Sequence, residues 1–597
     1  MPVRLNIVKN GQVQYVRVWR SFRNEKGQSR SKVVENYGRL DRLLEQDPQA
    51  IEKIQKHVDE LNALEKKSQY SARMLEAQTH LKDMQSAAQT NASQEGIQSL
   101  NLGIAVIKKI WDDLKLPQAF RYAQNKSKIE YDFAKTGLLL TALRLLAPSS
   151  KRNAFDHRLH YIANFDDVNQ LQHIYRSLDK LSENKDYLLK HINRNLSAWR
   201  QKEVTLAFYD VTTYAYESRS ESQMRGFGIS KDHKVNEVQV VLGLVVDENG
   251  LPFDYELFNG NTNEFGTMCP IIERLKKTYN IKRMIVVADR GLNSNENLLK
   301  LNDLGCEFII AQKVRNVSRE IQGQILSEDN WSEFMIDAEG EVLLKCKNLD
   351  VPRELFETKI SQKTGRKYTS NKVIGTIDTQ WVVSYSASRA AKDLKDLARA
   401  IEKAQKAITE NPGAVKSSRG WRSLVKTETS KKDLVLNQAK ISDQKKWAGY
   451  YAICTNVKDM TMSEVMQTYH NLWRIEDCFR ITKTSLEARP CYVWNDEHIK
   501  GHFLSCYIAL VIQRVLELTL NKACIELPTN QILEKLRQAS VIPVKTGRET
   551  VYVKTNTDSE FDRIMSAVGL GVLNTYEDKH ALSLKLKMKG IRERAGE

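Results

Sequence analysis

Between Val204 and Val314, runs of β-branched and aromatic residues alternate with amphipathic stretches, and this alternation restricts the fold more than any other feature of the chain. The segments "VTLAFYDVTTY", "VQVVLGLVVD", "PFDYELF", "RMIVVAD" and "CEFIIAQKV" have the length and composition of strands. "ENGLP" supplies a turn between the second and third. "EFGTMCPIIERLKKTY" and "SNENLLKLNDL" carry apolar residues at helical spacing. The resulting order, β-β-β-α-β-α-β, predicts an antiparallel meander that passes into parallel crossovers, with the sheet covered on both faces.

The flanking regions differ in texture. The first ~40 residues alternate as strands do. From Asp41 to Gln89, Leu44, Ile51, Ile54, Val58, Leu61 and Leu64 recur at helical spacing, and "TNASQEG" then breaks the pattern. A strand and helix region is therefore expected over 1–96. Short amphipathic helices such as "IAVIKKIWDDLKL" and "FAKTGLLLTALRLLA" predict a helical domain over 97–200. Residues 201–314 and 447–510 are the expected core, the latter opening with the returning strand "WAGYYAICTN". An insertion domain is expected over 315–446. Residues 511–597 are expected to be helical, ending in the basic tail "KHALSLKLKMKGIRER".

At 597 residues, two to four domains are expected. No uncharged run approaches the ~20 residues of a membrane span; "HFLSCYIALVIQ" is shorter and reads as a buried helix. The start, "MPVRLNIVKNGQ", lacks the apolar region of a signal peptide, so a cytoplasmic protein is expected. The eight cysteines are scattered without a C-x-x-C pair, which speaks for reduced, mostly buried thiols rather than a zinc site or disulfide framework. A formal charge of +17 favours a polyanionic partner, most simply nucleic acid.

The stretch "YHNLWRIEDCFRITKTSLEARP", Tyr469 to Pro490, reads as one helix. On it Leu472, Ile475, Phe479, Thr482 and Leu486 share a packing stripe, while Tyr469, Glu476, Arg480 and Lys483 lie along the rim. The rim is either a solvated edge with an i,i+4 pair such as Glu476–Arg480 or the wall of a site. Asp210 and Asp289 bear on that choice, because each ends an apolar strand run, although such residues also serve as turn and cap formers. If the two strands are neighbours, both carboxylates emerge at one sheet edge, and a third acid from a helix across that edge completes an oxygen-rich site. Such a site suits Mg²⁺. Two ions ~3.5–4 Å apart can activate a hydroxyl and stabilise a leaving 3′ oxygen in phosphoryl transfer, while nearby cations hold the non-reacting phosphates.

These segments resemble a known family. "YHNLWRIEDCFRITK" is similar to the Tyr-x2-Arg-x3-Glu-x6-Lys signature of bacterial insertion-sequence DDE transposases of the group-four-like type, with Tyr469, Glu476 and Lys483 matching its spacing. "FYDVTTYAYES" resembles the segment carrying the family's first Asp, at Asp210, and "VVADRGLNSNENL" the one carrying its second, at Asp289. The resemblance implies an α/β RNase H-like catalytic core interrupted by a β-rich insertion. It implies a transposase that cleaves an element's ends and joins them to a target, with Asp210, Asp289 and Glu476 as catalytic residues and ligands of two Mg²⁺ ions, or Mn²⁺. The implied partners are double-stranded DNA with terminal inverted repeats, target DNA and a second copy of the chain in a synaptic complex, in the bacterial cytoplasm at the nucleoid.

In that family Tyr469 and Lys483 would each hold a phosphate. Arg290 and the stretch "SKDHK", including Lys231, are further candidates for DNA contact; the stretch reads equally as a solvated turn. The signature's Arg falls at Leu472, and Arg474 lies on another side of the helix. Leu472 is therefore expected to pack, with the phosphate contact passing to Arg480, to Arg474 from another side, or to a different segment. Among the insertion's tryptophans, Trp421 in "SSRGWRS" is the candidate for stacking on an unpaired base, and the others are expected to pack. Residues 97–200 read either as recognising the terminal repeats or as a structural cap. Two other functions stand beside it: an RNase H-like nuclease that uses the same carboxylates to cleave without joining, and a transposase-derived DNA-binding protein that has lost catalysis.

Overall fold

The computed structural model describes residues 3–23, 29–90, 99–200, 204–216, 220–228, 237–262, 266–315, 317–336, 342–362, 367–410, 420–427, 434–546 and 549–593. The chain divides into two compact units. The larger comprises Ile107–Arg158 and Phe165–Leu533 and is built on one mixed ten-stranded sheet. Its core elements are β1 (Leu206–Ala215), β2 (Val238–Val246), β3 (Pro252–Asn259), α1 (Met268–Tyr279), β4 (Ile285–Ala288), α2 (Asn295–Asp303) and β5 (Glu307–Gln312). The insertion adds β6 (Ser332–Ile336), β7 (Val342–Asp350), β8 (Gln380–Ser386) and the long helix α3 (Ala387–Glu410). The chain returns as β9 (Tyr450–Thr455), followed by α4 (Met462–His470), α5 (Trp473–Arg480) and α6 (Asp496–Lys522).

The sheet runs β6-β7-β8-β9-β5-β4-β1-β2, with β3 and the short strand Gly226–Phe227 also paired to β2. β4 is parallel to both β1 and β5, and the other pairings are antiparallel. Parallel neighbours require a crossover, and α2 provides one between β4 and β5. Ile271, Ile272 and Leu275 of α1 and Leu298 and Leu301 of α2 meet Ala207, Tyr209, Val286 and Ala288 in one buried cluster. On the opposite face, Tyr214 packs edge-on against Phe503 of α6, with ring centroids 5.0 Å apart. Covered on both sides, every residue of β2 is buried, which is why that strand reads as an unbroken apolar run.

The insertion differs from the expected separate domain. Its strands β8 and β7 continue the core sheet beyond β9, with β8 pairing from Gln380↔Thr455 to Tyr385↔Tyr450. The pairing covers backbone groups that β9 would otherwise expose as a sheet edge. The remainder includes a hairpin, Arg353–Ile360 with Lys367–Ile377, and α3 with a small core of its own.

Helix α6 is longer than the apolar segment "HFLSCYIALVIQ" suggested, and its length and composition would suffice to cross a membrane. Here 78% of its apolar window is buried inside the chain. Gly501 allows its close approach to the helix Leu171–Glu183, because a Cβ at that position would stand 2.1 Å from the Leu178 carbonyl oxygen. The boundary expected at residue 510 falls inside α6. The helices Phe133–Leu146 and Leu171–Glu183 pack on it, so residues 107–158 and 165–200 join the core unit rather than forming a body of their own.

The smaller unit, Met1–Val106, Leu159–Asn164 and Glu534–Glu597, holds the expected N-terminal strands and helix. Val3, Val16 and Val18 of a three-stranded antiparallel sheet pack on Ile54 and Val58 of the helix Ala50–Thr90. Its second sheet corrects the expectation of a helical C-terminal region. The strands Ser540–Thr546, Glu549–Thr555 and Tyr576–Asp578 pair with one another and with Leu100–Asn101. The basic end is not a loose tail either, because Leu582, Leu586, Met588 and Ile591 are buried.

Candidate active site

Strands β1 and β4 pair in parallel from Leu206↔Ile285 to Tyr209↔Ala288. Asp210 and Asp289 therefore come level, one step beyond the last pair, on neighbouring strands. Each carboxylate is fixed in the same way: its Oδ1 accepts the N–H of the next residue, Val211 or Arg290, at 2.7 Å. Side chains alternate along a strand. Since Tyr209 and Val211 point into the α1–α2 core, Asp210 lies on the other face with Tyr214. Helix α5 crosses that face against β1 and β2, and the π-helical turn Ile481–Ser485 that follows it is tied down by the Tyr214 hydroxyl, 3.0 Å from Thr482 Oγ1.

Glu476 stands exposed in the first turn of α5. Tyr469, at the end of α4, lies within electrostatic reach of both Glu476 and Asp289. Burial, the neighbouring Tyr451 phenol and then the charges of Asp289 and Glu476 all push the Tyr469 hydroxyl far above the ordinary tyrosine range. Tyr451 is pushed up to about 12, mainly by burial and further by Asp289, against the opposing charges of Arg389 and Arg290. Asp289 thus lies beside Asp210 by register, and the charges of Asp289 and Glu476 both act on the Tyr469 phenol. Among the described residues, no three His, Cys, Asp or Glu side chains form a ready-made metal cage. The donors at this edge are all carboxylates, the hard oxygen ligands that suit Mg²⁺ or Mn²⁺.

The stretch expected as one helix is broken. Leu472 N–H bonds to the Tyr469 carbonyl and Ile475 N–H to that of Leu472, so a tight two-residue link, Asn471–Leu472, separates α4 from α5. Beyond α5 the π turn widens the spiral, with Leu486 N–H reaching the Ile481 carbonyl. The packing stripe survives: Leu472, Ile475, Phe479, Thr482 and Leu486 are all buried. The rim does not stay a single row, because Tyr469 belongs to a separate helix and Lys483 to the wide turn.

The remaining candidates scatter. Lys483 Nζ lies 5.6 Å from the Tyr214 ring centroid, on the Asp210 face of β1. Arg480 pairs with Asp477 at 2.5 Å rather than with Glu476. Arg474 lies near Gly250 in the β2–β3 turn, where Asp247 and Glu248 act on it. Arg290 is exposed directly after Asp289. Lys231 and the rest of "SKDHK" lie outside the described residues. The Trp421 ring packs against the small core of Leu397, Ala404, Leu424 and Ile441, with the Arg422 guanidinium 4.9 Å from its centroid.

A cleft of about 820 Å³ opens beside Asp289, walled in part by Arg290, Lys313, Arg315, Arg389, Trp447 and Tyr451. Tyr451 and Arg389 were not singled out from the sequence. Their only local signal is position: Tyr451 lies at the start of the returning strand, and Arg389 follows the end of β8, both at the edge where β4 and β5 end. An edge of carboxylates bordered by cations and half-buried phenols is equipped to hold a phosphodiester and divalent ions together.

Residues 209–512, just over half of the chain and including all three acids, match a family model described as a transposase DDE domain. No curated protein sequence matches the chain. Among solved structures, the chain is similar to the piggyBac transposase synaptic complex with hairpin DNA, determined by cryo-electron microscopy. Identity is 8% and the TM-score 0.33, over 74% of this chain and 80% of that one, a likeness too distant to carry residues across.

Proposed function

The chain belongs to the transposase DDE domain family, and from that premise we propose that it cuts the ends of a mobile DNA element and joins the freed 3′ hydroxyls to target DNA. The observation that carries this reading is the level placement of Asp210 and Asp289 on adjacent parallel strands, with Tyr469 within reach of the charges of both Asp289 and Glu476. The order β3-β2-β1-β4-β5, antiparallel and then parallel, supports an RNase H-like core.

Asp210, Asp289 and Glu476 are the residues that would hold two divalent ions, Mg²⁺ or Mn²⁺. Bound there, such ions polarise the scissile phosphate and ease deprotonation of the attacking hydroxyl. The chain's own residues orient the substrate. The backbone N–H groups of Val211 and Arg290 hold the two strand carboxylates in place before DNA arrives. Tyr469 offers a phenol that stays protonated, and Lys483 and Arg290 offer positive charge to phosphates on either side of the cut.

The partners in this reading are the element's terminal inverted repeats, target DNA and a second copy of the chain, since two ends must be held together. Recognition of the repeats falls to the helices between residues 97 and 200, and the reaction takes place at the nucleoid in the cytoplasm. The test uses full-length protein, Mg²⁺ and a plasmid carrying its own coding segment with flanking DNA. The expected products are cuts at the segment's borders and molecules joined to new DNA. Cuts without joined products would mark a nuclease, and binding without cuts a passive DNA-binding protein; either result overturns the proposal.

A further inference from the structure

We propose that Arg389, on the insertion helix α3, supplies the DNA-phosphate contact beside the acids that Leu472 cannot make. The inference rests on the strand-transfer reading above and names a substrate-binding residue for that same site. Leu472, at the position of the signature's arginine, is only 8% exposed and serves packing. The two nearby arginines on α5 are placed elsewhere: Arg480 is paired with Asp477, and Arg474 lies at the β2–β3 turn.

Arg389 is placed differently. Its guanidinium lies 4.8 Å from the centroid of the Tyr451 ring, and that ring is 5.8 Å from the Tyr469 ring. It is exposed and walls the cleft that opens at Asp289. The first turn of α3 is fastened there by backbone. Ser386 N–H bonds to the Gly449 carbonyl at 3.1 Å, and Gly449 N–H donates to Asp393 Oδ2 at 3.0 Å. Gly449 has φ +85°, and a Cβ there would come within 2.7 Å of Ala390 Cβ and 2.9 Å of the Ser386 carbonyl oxygen. The close fit holds Arg389 at the mouth of the cleft without requiring a long side-chain search.

The charge of the cleft points to a polyanion. Its walls carry four cations, Arg290, Lys313, Arg315 and Arg389, against three acids, Asp289, Asp393 and Asp396; Arg399 lies 3.6 Å from Asp396, and Asp289 is one of the residues that would hold a divalent ion. A planar guanidinium resting on an aromatic ring can meet two phosphate oxygens at once, which an ammonium cannot. The ligand is therefore a DNA strand passing the acids, with a backbone phosphate seated on Arg389.

The test compares full-length wild type with Arg389→Ala, Arg389→Lys and Arg389→Gln, and with Lys403→Ala on an exposed turn of the same helix as control. The probes are a labelled duplex spanning the coding segment's border and the plasmid used above. For Arg389→Ala and Arg389→Gln, border cleavage should fall about 10- to 100-fold, and the slope of log affinity against log salt should shrink by about one phosphate's worth. Arg389→Lys should recover the slope but only part of the cleavage, and Lys403→Ala should match wild type. Wild-type cleavage and slope in both neutral variants would overturn the inference. Failure of the wild type itself to cut would instead strike the transposase reading, and the salt slopes would still decide whether Arg389 seats a phosphate.

Discussion

Tyr451 and Tyr469 meet with ring centroids 5.8 Å apart, joining the start of the returning strand to the end of α4 near Asp289. Burial raises both phenols, Tyr451 to about 12 and Tyr469 further. A phenol is neutral below its pKa, so neither loses its proton where an ordinary tyrosine begins to titrate, near pH 10. Border cleavage should therefore show no alkaline fall from these groups between about pH 8 and pH 10. Tyr469→Phe should cut about tenfold more slowly, the cost of one hydrogen bond to substrate, with an unchanged pH profile. A fall in wild type that Tyr469→Phe abolishes would mean that this phenol titrates in the ordinary range.

The carboxylates should behave as a set. Asp210→Asn, Asp289→Asn and Glu476→Gln keep side-chain shape and remove charge, and each should lower cleavage by about a thousandfold or more, because groups that hold ions in the transition state act as a unit. DNA binding, measured by gel shift, should change little. Chelation should stop the wild-type reaction and added Mg²⁺ or Mn²⁺ restore it. Full cleavage by any one variant would remove that residue from the site.

Gly449 offers a test of how α3 is seated. Gly449→Ala meets both a left-handed backbone and a steric clash with α3, whereas Gly420→Ala, at φ +61°, has open space around it. The first should cost about 2–3 kcal/mol and the second about 1, read from chemical denaturation. Gly449→Ala should also slow cleavage, since it lifts Arg389 from the cleft. Equal stability losses would show that α3 yields without cost.

A buried lysine gives the core unit a pH signature. Lys151 Nζ lies 3.0 Å from His502 Nδ1, and His502 Nε2 lies 3.1 Å from the Ala488 carbonyl. With the Nε2–H donated to that carbonyl, Nδ1 is left to accept from the lysine. Burial, helped by the charge of Arg144, lowers Lys151 to about 7 from 10.5. Between those values the unfolded chain binds a proton that the folded chain does not, so stability from this group rises with pH across the window and is lowest below it. Lys151→Met should remove that rise, giving a melting temperature that climbs less between about pH 7 and 9 than wild type does. Parallel curves would show that Lys151 is charged in the folded state.

Much of the core was legible from composition. The apolar runs from Leu206, Val238, Pro252, Ile285 and Glu307 became strands, and the amphipathic stretches between them became α1 and α2, because run length and side-chain spacing are local properties. Asp210 and Asp289 stood out for the same reason, each being the first acid after an apolar run. The wheel drawn through Tyr469–Pro490 found the packing stripe but missed the break at Asn471–Leu472 and the π turn, since no glycine or proline marks either.

What composition left open depended on contacts between residues distant in the chain. Pairing of β1 with β4 sets Asp210 level with Asp289 across nearly eighty residues, and pairing of β8 with β9 carries Arg389 to Tyr451 across some sixty. Strand propensity is satisfied in any register. The register actually taken is chosen by which side chains fill the two faces of the sheet at once. Residue order thus settled which segments become strands and which acids they carry, while packing across the finished sheet settled which of those acids, phenols and cations stand together.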